Sequence, residues 1–169
     1  HVHDIGGTGN QDCLKLSGVN DFKVLLSSFA RCGGGTSGSG VDHVGCHRGL
    51  LARNRFSDTA GNAIQAKGGS EDLEIRWNHF VECGARTLNL GGSTGYPYFR
   101  PPLSTTEANA EARDIRVVAN VIEGSDAAVA WVGCVGCVVA HNTIVNPHTW
   151  ILRILQETLS DATYTFEAC

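Results

Sequence analysis

Short apolar runs recur along the chain, and each ends on a small polar residue followed two positions later by a large apolar one. The triplets are Asn54-Arg55-Phe56, Asn78-His79-Phe80, Asn120-Val121-Ile122 and Asn142-Thr143-Ile144. The runs before them are 50–52, 73–77, 115–117 and 138–140. Ser27-Ser28-Phe29, after 22–26, is an earlier copy with serine in place of asparagine. From residue 27 to 54, 78, 120 and 142 the steps are 27, 24, 42 and 22 residues. A period in the low twenties falls in the range of solenoid repeats.

A second strand recurs in each repeat, with a central position flanked by apolar residues. The copies align as 14–16, 41–43, 64–66, 88–90, 129–131 and 152–154, the one at Val41 being the least regular. The step from each central residue to the next Ser/Asn position is 12 or 13 residues, except from Asn89 to Asn120, where it is 31. An insertion of about eighteen residues accounts for that step and for the 42-residue one. One coil cannot bury its apolar face alone, so the coils must stack. Stacked parallel strands place equivalent positions over one another, and the side-chain period of two sends one column inward and the next outward. Helical patterns of 10–15 residues between strands are absent, which excludes an ordinary α/β fold. The chain is therefore predicted to be all-β, a right-handed parallel β-helix of about six coils of 22–27 residues, with one inserted loop near 93–113. The asparagines are expected at bends, in the left-handed conformation, with stacked amides bonding coil to coil.

The inserted segment divides in two. Residues 96–102 form a stiff aromatic and proline-rich loop, and 104–112 has the composition of a short capped helix. The tail from Glu157 to Cys169 reads as a partial last coil. A single domain over residues 1–169 is expected, as part of a longer or processed chain that starts at His1 and contains no Met. Solenoids need capped ends, so a partner or further chain is expected to cover the N-terminal end.

Composition narrows the function classes. Gly makes up 21 of 169 residues, which fits many tight turns. The net charge of −4 argues against nucleic acid as partner, and no apolar run is long enough to insert into a membrane as a helix. Seven cysteines leave at least one thiol unpaired within the chain; Cys134 and Cys137 stand alone as a C-x-x-C pair, and the rest read as small buried hydrophobes.

The outward column of the second strand runs Lys15, Asp42, Gln65, Asn89, Ala130, Arg153. The insertion leaves directly after the Asn89 strand and should arch beside this face, bringing Tyr96, Tyr98 and Arg100. A polar sheet beside an aromatic loop suits an extended sugar chain, whose C–H faces pack on rings while hydroxyls and carboxylates take the polar groups. Lys67, flanked by Gly68 and Gly69, is the candidate base for abstracting a proton next to a uronate carboxylate. Arg86 and Arg153 are the candidates for holding that carboxylate. His43 and His47 beside Asp42 form a candidate metal or acid–base cluster, with a divalent ion such as calcium as the only cofactor considered.

The coil pattern over residues 3–156 resembles the right-handed parallel β-helix superfamily of pectate lyases, pectin lyases, polygalacturonases and chondroitinase- or alginate-type lyases. Gln11-Asp12-Cys13-Leu14 is similar to the Asp-Asp-Cys-Ile strand of polygalacturonases, with Gly38-Ser39-Gly40 near their Gly-His-Gly and Gln65-Ala66-Lys67 near their Arg-Ile-Lys. Asp12 and Lys67 match functional positions there, whereas Gln11, Ser39 and Gln65 depart from an acid, a histidine and an arginine. Ala66-Lys67-Gly68 followed by Asn78-His79-Phe80 resembles the lysine-bearing coil of chondroitinase-type lyases, with Lys67 at the position of the base. Their arginine falls on Gly91, and Ala63 and Gln65 stand where they carry calcium-binding acids. The resemblance implies a secreted or cell-surface protein that acts on an acidic polysaccharide by β-elimination. The alternative is a non-catalytic glycan-binding or assembly module of the same fold.

Overall fold

A computed structural model describes residues 1–35 and 37–169. Its strands form a parallel β-solenoid of about six turns, in three sheets that run the length of the stack. The first sheet contains Val2–Ile5, Ser28–Cys32, Arg55–Ser57, His79–Val81, Val121–Glu123 and Thr143–Val145. The second contains Leu14–Ser17, Ser39–Val44, Asn62–Lys67, Arg86–Gly91, Ala127–Val132 and Trp150–Leu155. The third begins with Lys23–Leu25, His47–Ala52 and Ser70–Arg76, and continues through Ala112–Arg113 with Arg116–Val118 and Cys134–Val135 with Val138–Ala140.

The interior is a set of ladders. Phe29, Phe56 and Phe80 stack with ring centroids 4.9 and 5.0 Å apart, and Ile122 and Ile144 continue the column in register. Leu51, Ile75 and Val117 form another, each removed from water. Fully burying an aliphatic or aromatic side chain contributes about 1.5–3 kcal/mol, so each added coil stabilises its neighbours.

The asparagine ladder forms as the repeat predicts. The Oδ1 of Asn78 accepts from the backbone N–H of Asn54 at 2.9 Å and from its Nδ2 at 3.0 Å, and Asn120 repeats this with Asn78. Each Nδ2 also donates to a carbonyl of the coil before, Asn78 to Leu51 and Asn120 to Ile75, both at 2.9 Å. The left-handed residue, however, is the one before the asparagine: Leu26, Arg53, Trp77, Ala119 and His141 have φ between 52° and 57°. The amide satisfies backbone groups that this bend exposes, and the side chain on the strained residue is pushed outward.

Two local expectations are corrected. Residues 104–111 form a bent loop rather than a helix, and Ala112 opens the next strand. Ser104 Oγ accepts from the N–H groups of Thr106 and Glu107, but Asn109 then bonds both the N–H and the carbonyl of Ser104, which closes the segment into a loop. The tail is not a further coil: it turns back onto the insertion, where Asn109 pairs with Phe166 and Phe166 packs on Tyr96 and Phe99. Cys13 pairs with Cys32 and Cys134 with Cys137, while Cys46 and Cys83 are buried thiols.

Candidate functional site

Backbone register fixes the second sheet's outward column. Lys15 lies beside Asp42, Asp42 beside Gln65, Gln65 beside Asn89, Asn89 beside Ala130 and Ala130 beside Arg153. The alternation puts Val41 and His43 inside, so Asp42 points the other way, into the polar face.

Asp42 is the centre of a cluster. Its side chain is 1% exposed, and its Oδ2 takes the ammonium of Lys15 and, at 3.8 Å, that of Lys67. Among the described residues its Oδ1 has no hydrogen-bond partner. Lys67 also donates to Gln65 Oε1 at 3.4 Å. Asp12 stands 3.9 Å from the Lys15 ammonium and accepts the Ser39 N–H at 2.8 Å. Burial, then the neighbouring Asp42 charge, raises the Asp12 carboxyl above the ordinary carboxylate range. Two carboxylates thus hold two lysines at fixed positions, and each ammonium has donors left over for a ligand.

The insertion supplies the wall. Lys15, Ser17, Val44, Lys67, Thr94 and Tyr98 line a cleft of about 320 Å³, within the size range of small-ligand sites. Glu111, buried at the base of the insertion, accepts from the Thr94 N–H at 2.8 Å, the Thr94 hydroxyl at 2.7 Å and the Gly68 N–H at 3.0 Å, and also from Thr158. It therefore ties the loop, the corner after Lys67 and the tail together. Gly45 and Gly69, both left-handed, let Arg100 lie flat on the solenoid: a Cβ on either would come within 2.5 Å of an Arg100 atom.

The predicted residues divide into groups. Lys15, Asp42, Gln65 and Lys67 come together, and Tyr98, 66% exposed, closes the cleft above them. Asn89 is the next rung, buried, with its Oδ1 at 3.4 Å from Arg86 Nη1. Tyr96 faces the tail instead, bonding Asp161 at 2.7 Å. The Arg100 side chain approaches Gly18 and Gly45 at the corner. Neither of the candidate arginines converges on Lys67. Arg86 bonds Glu157 of the tail at 2.6 Å, and Arg153 stacks on Trp150 at 4.6 Å, three strands from Gln65. At about 4.8 Å per strand that offset is roughly 14 Å.

The histidine pair is separated. His43 is fully buried in the inward column with Leu16 and Ala66, stacks on Phe22 at 5.4 Å and bonds the Gln65 carbonyl at 2.9 Å. Burial depresses its pKa to about 4. His47 instead bonds the carbonyls of Gly69 and Arg100 at 3.0 and 3.1 Å, pinning the insertion. Among the described residues no group of three or more metal-binding side chains occurs. Two lysine ammoniums already stand at Asp42 Oδ2. Sequence reasoning left Asp12 and Glu111 out of the site. Asp12 was marked only by the Gln11–Leu14 resemblance, and Glu111 carried no signal because its partners lie 17, 43 and 47 residues away.

Comparison with protein-family models, with curated proteins and with solved structures found no match for this chain.

Proposed function

We propose that this chain is a carbohydrate-active β-helix of the pectin lyase-like kind, which binds an acidic polysaccharide along the second sheet and cleaves it by β-elimination. The observation that supports the reading is the convergence of Lys15 and Lys67 on buried Asp42 at the foot of a cleft walled by Tyr98. Asp42 holds both ammoniums in place, so little ordering is left for the ligand to impose. In this reading Lys15 takes the role first given to the arginines and neutralises the uronate carboxylate, which acidifies the neighbouring C–H. Lys67 first gives up its ammonium proton to solvent; as the free amine it removes the C5 proton, the electron pair forms the C4–C5 double bond, and the C4–O bond breaks as water protonates the departing oxygen. The Cys13–Cys32 disulfide supports an oxidising, secreted or cell-surface location.

The test is ultraviolet absorbance of the unsaturated product during incubation with pectate, alginate, chondroitin and hyaluronan, with and without calcium. A rise that disappears in Lys67→Ala is the expected result. Full activity in that variant would overturn the role of Lys67. A second reading, a non-catalytic glycan-binding module, is favoured by the engagement of Arg86 and Arg153 elsewhere. It predicts no absorbance change with calorimetric binding retained, and a flat titration against all four polymers removes both readings.

A further inference from the structure

At the corner between the third and first sheets the left-handed column Leu26, Arg53, Trp77, Ala119, His141 projects away from the core. The bend itself is structural, since every coil has one. The side chains placed there are not needed for packing, and two of them are unusual. Trp77 is 50% exposed and held by two guanidiniums, Arg53 at 5.1 Å and Arg76 at 4.4 Å from the ring. Arg55 lies one strand position past Asn54 and donates to His79 Nδ1 at 2.8 Å, while His79 Nε2 bonds Glu123.

The stack has its own way of accommodating an arginine on a left-handed corner, which is an aspartate one coil earlier. Arg31 is forked to Asp4, and Arg48 to Asp21 at 2.7 and 2.9 Å. Arg53 has Leu26 in that position. Among the described residues neither Arg53 nor Arg55 has a carboxylate partner, in contrast to Arg31, Arg48, Arg76, Arg86 and Arg113. Both line a groove of about 460 Å³ with Leu26, Trp77, His79 and His1.

We infer that this groove is a second binding site, separate from the cleft, for the anionic groups of an acidic oligosaccharide segment. The guanidinium fork matches carboxylate or sulfate bidentately, and the tryptophan holds Arg53 and Arg76 in place by cation–π contact. The groove runs over four rungs, from His1 through Ser28 and Arg55 to His79, roughly 14 Å, which suits a few sugar units. The site stands whether or not the cleft is catalytic.

The experiment uses the full chain with Lys15→Ala and Lys67→Ala to silence the cleft, titrated calorimetrically with oligogalacturonate and, in a second arm, with a heparin oligosaccharide of similar length. These arms separate carboxylate from sulfate as the recognised group. Binding in at least one arm, weakened about tenfold or more by Arg53→Gln with Arg55→Gln, is expected. The glutamines keep the side-chain stems, and unchanged thermal melting shows the fold is intact. No binding in either arm, or equal binding after the double exchange, overturns the site. Tighter binding of a short single-stranded oligonucleotide than of either sugar overturns the ligand class.

Discussion

Acid should destabilise this protein through one buried histidine. The ring of His43 occupies a rung between Leu16 and Ala66, with no exposed surface and with Nε2 lacking a hydrogen-bond partner among the described residues. Burial is the largest cause of its depressed pKa, partly offset by the Gln65 carbonyl and the Asp42 charge. Above pH 6.5 the ring is neutral in both folded and unfolded chains and makes no pH-dependent contribution. Below 6.5 the unfolded chain takes up a proton that the folded one refuses until about pH 4. Stability therefore falls as pH drops through that window. At roughly 1.4 kcal/mol per pH unit the loss is about 3 kcal/mol, a large part of a typical domain's total. Asp12 works in the opposite sense: its raised carboxyl pKa means the folded chain binds a proton more readily than the unfolded one as pH falls through its range. The comparison that isolates the histidine is urea unfolding of the native chain and of His43→Leu at pH 7, 5.5 and 4. Leucine keeps an apolar side chain of similar size in the rung and removes the titrating group. The variant's stability relative to the native chain should rise by about 3 kcal/mol from pH 7 to pH 4. Parallel acid profiles for the two proteins would refute the reasoning, because every other titrating group is shared.

Two further outcomes follow from the ladders and the insertion. Asn120→Ala removes the acceptor for the Asn78 N–H and the donor to the Ile75 carbonyl inside the stack; at about 1–3 kcal/mol for each unsatisfied buried group, urea unfolding should show a loss of 2 kcal/mol or more, against a negligible change for the exposed Arg116→Ala. Gly69→Ala places a Cβ at 2.5 Å from the Arg100 carbonyl, at a φ of +83°, so it should lift the insertion: limited proteolysis within 93–110 should accelerate several-fold, and an unchanged cleavage rate would show that the loop is not seated by this glycine.

The solenoid was legible because it is written redundantly. Six copies of one alternation gave the outward column from Lys15 to Arg153, and the register reproduces it rung by rung. The same alternation held the correct placement of His43, one step inward from Asp42, but the irregular Val41 copy obscured it. The asparagines were found as a column, yet the bend falls on their predecessors. An amide that accepts the next coil's N–H must itself sit in line with the stack, which leaves the residue before it to turn the chain. Nothing in the identity of Arg53 or Trp77 marks that duty, since the backbone makes the bend and both side chains project outward.

The site was legible only where strand register alone decides proximity. Lys15, Asp42 and Gln65 are consecutive rungs, so their meeting follows from the alignment; Lys67, two residues on from Gln65, reaches back along the same face. The arginines illustrate the limit. Arg86 has its position set by the ladder, but its charge is claimed by Glu157, in a segment that belongs to no coil and folds back only because Phe166 and Thr158 find partners on the insertion. A guanidinium on a long side chain goes to the nearest acid with suitable geometry, and which acid that is depends on loops whose path no repeat encodes. The cleft's chemistry is then set by two short-range facts, the lysines and their shared carboxylate, while its accessibility is set by the long-range contacts that seat the insertion, those of Glu111 and His47 among them. Substituting Lys67 should change what the cleft binds or does, whereas loosening Glu111 should change how readily a ligand enters while leaving the lysine–carboxylate cluster assembled.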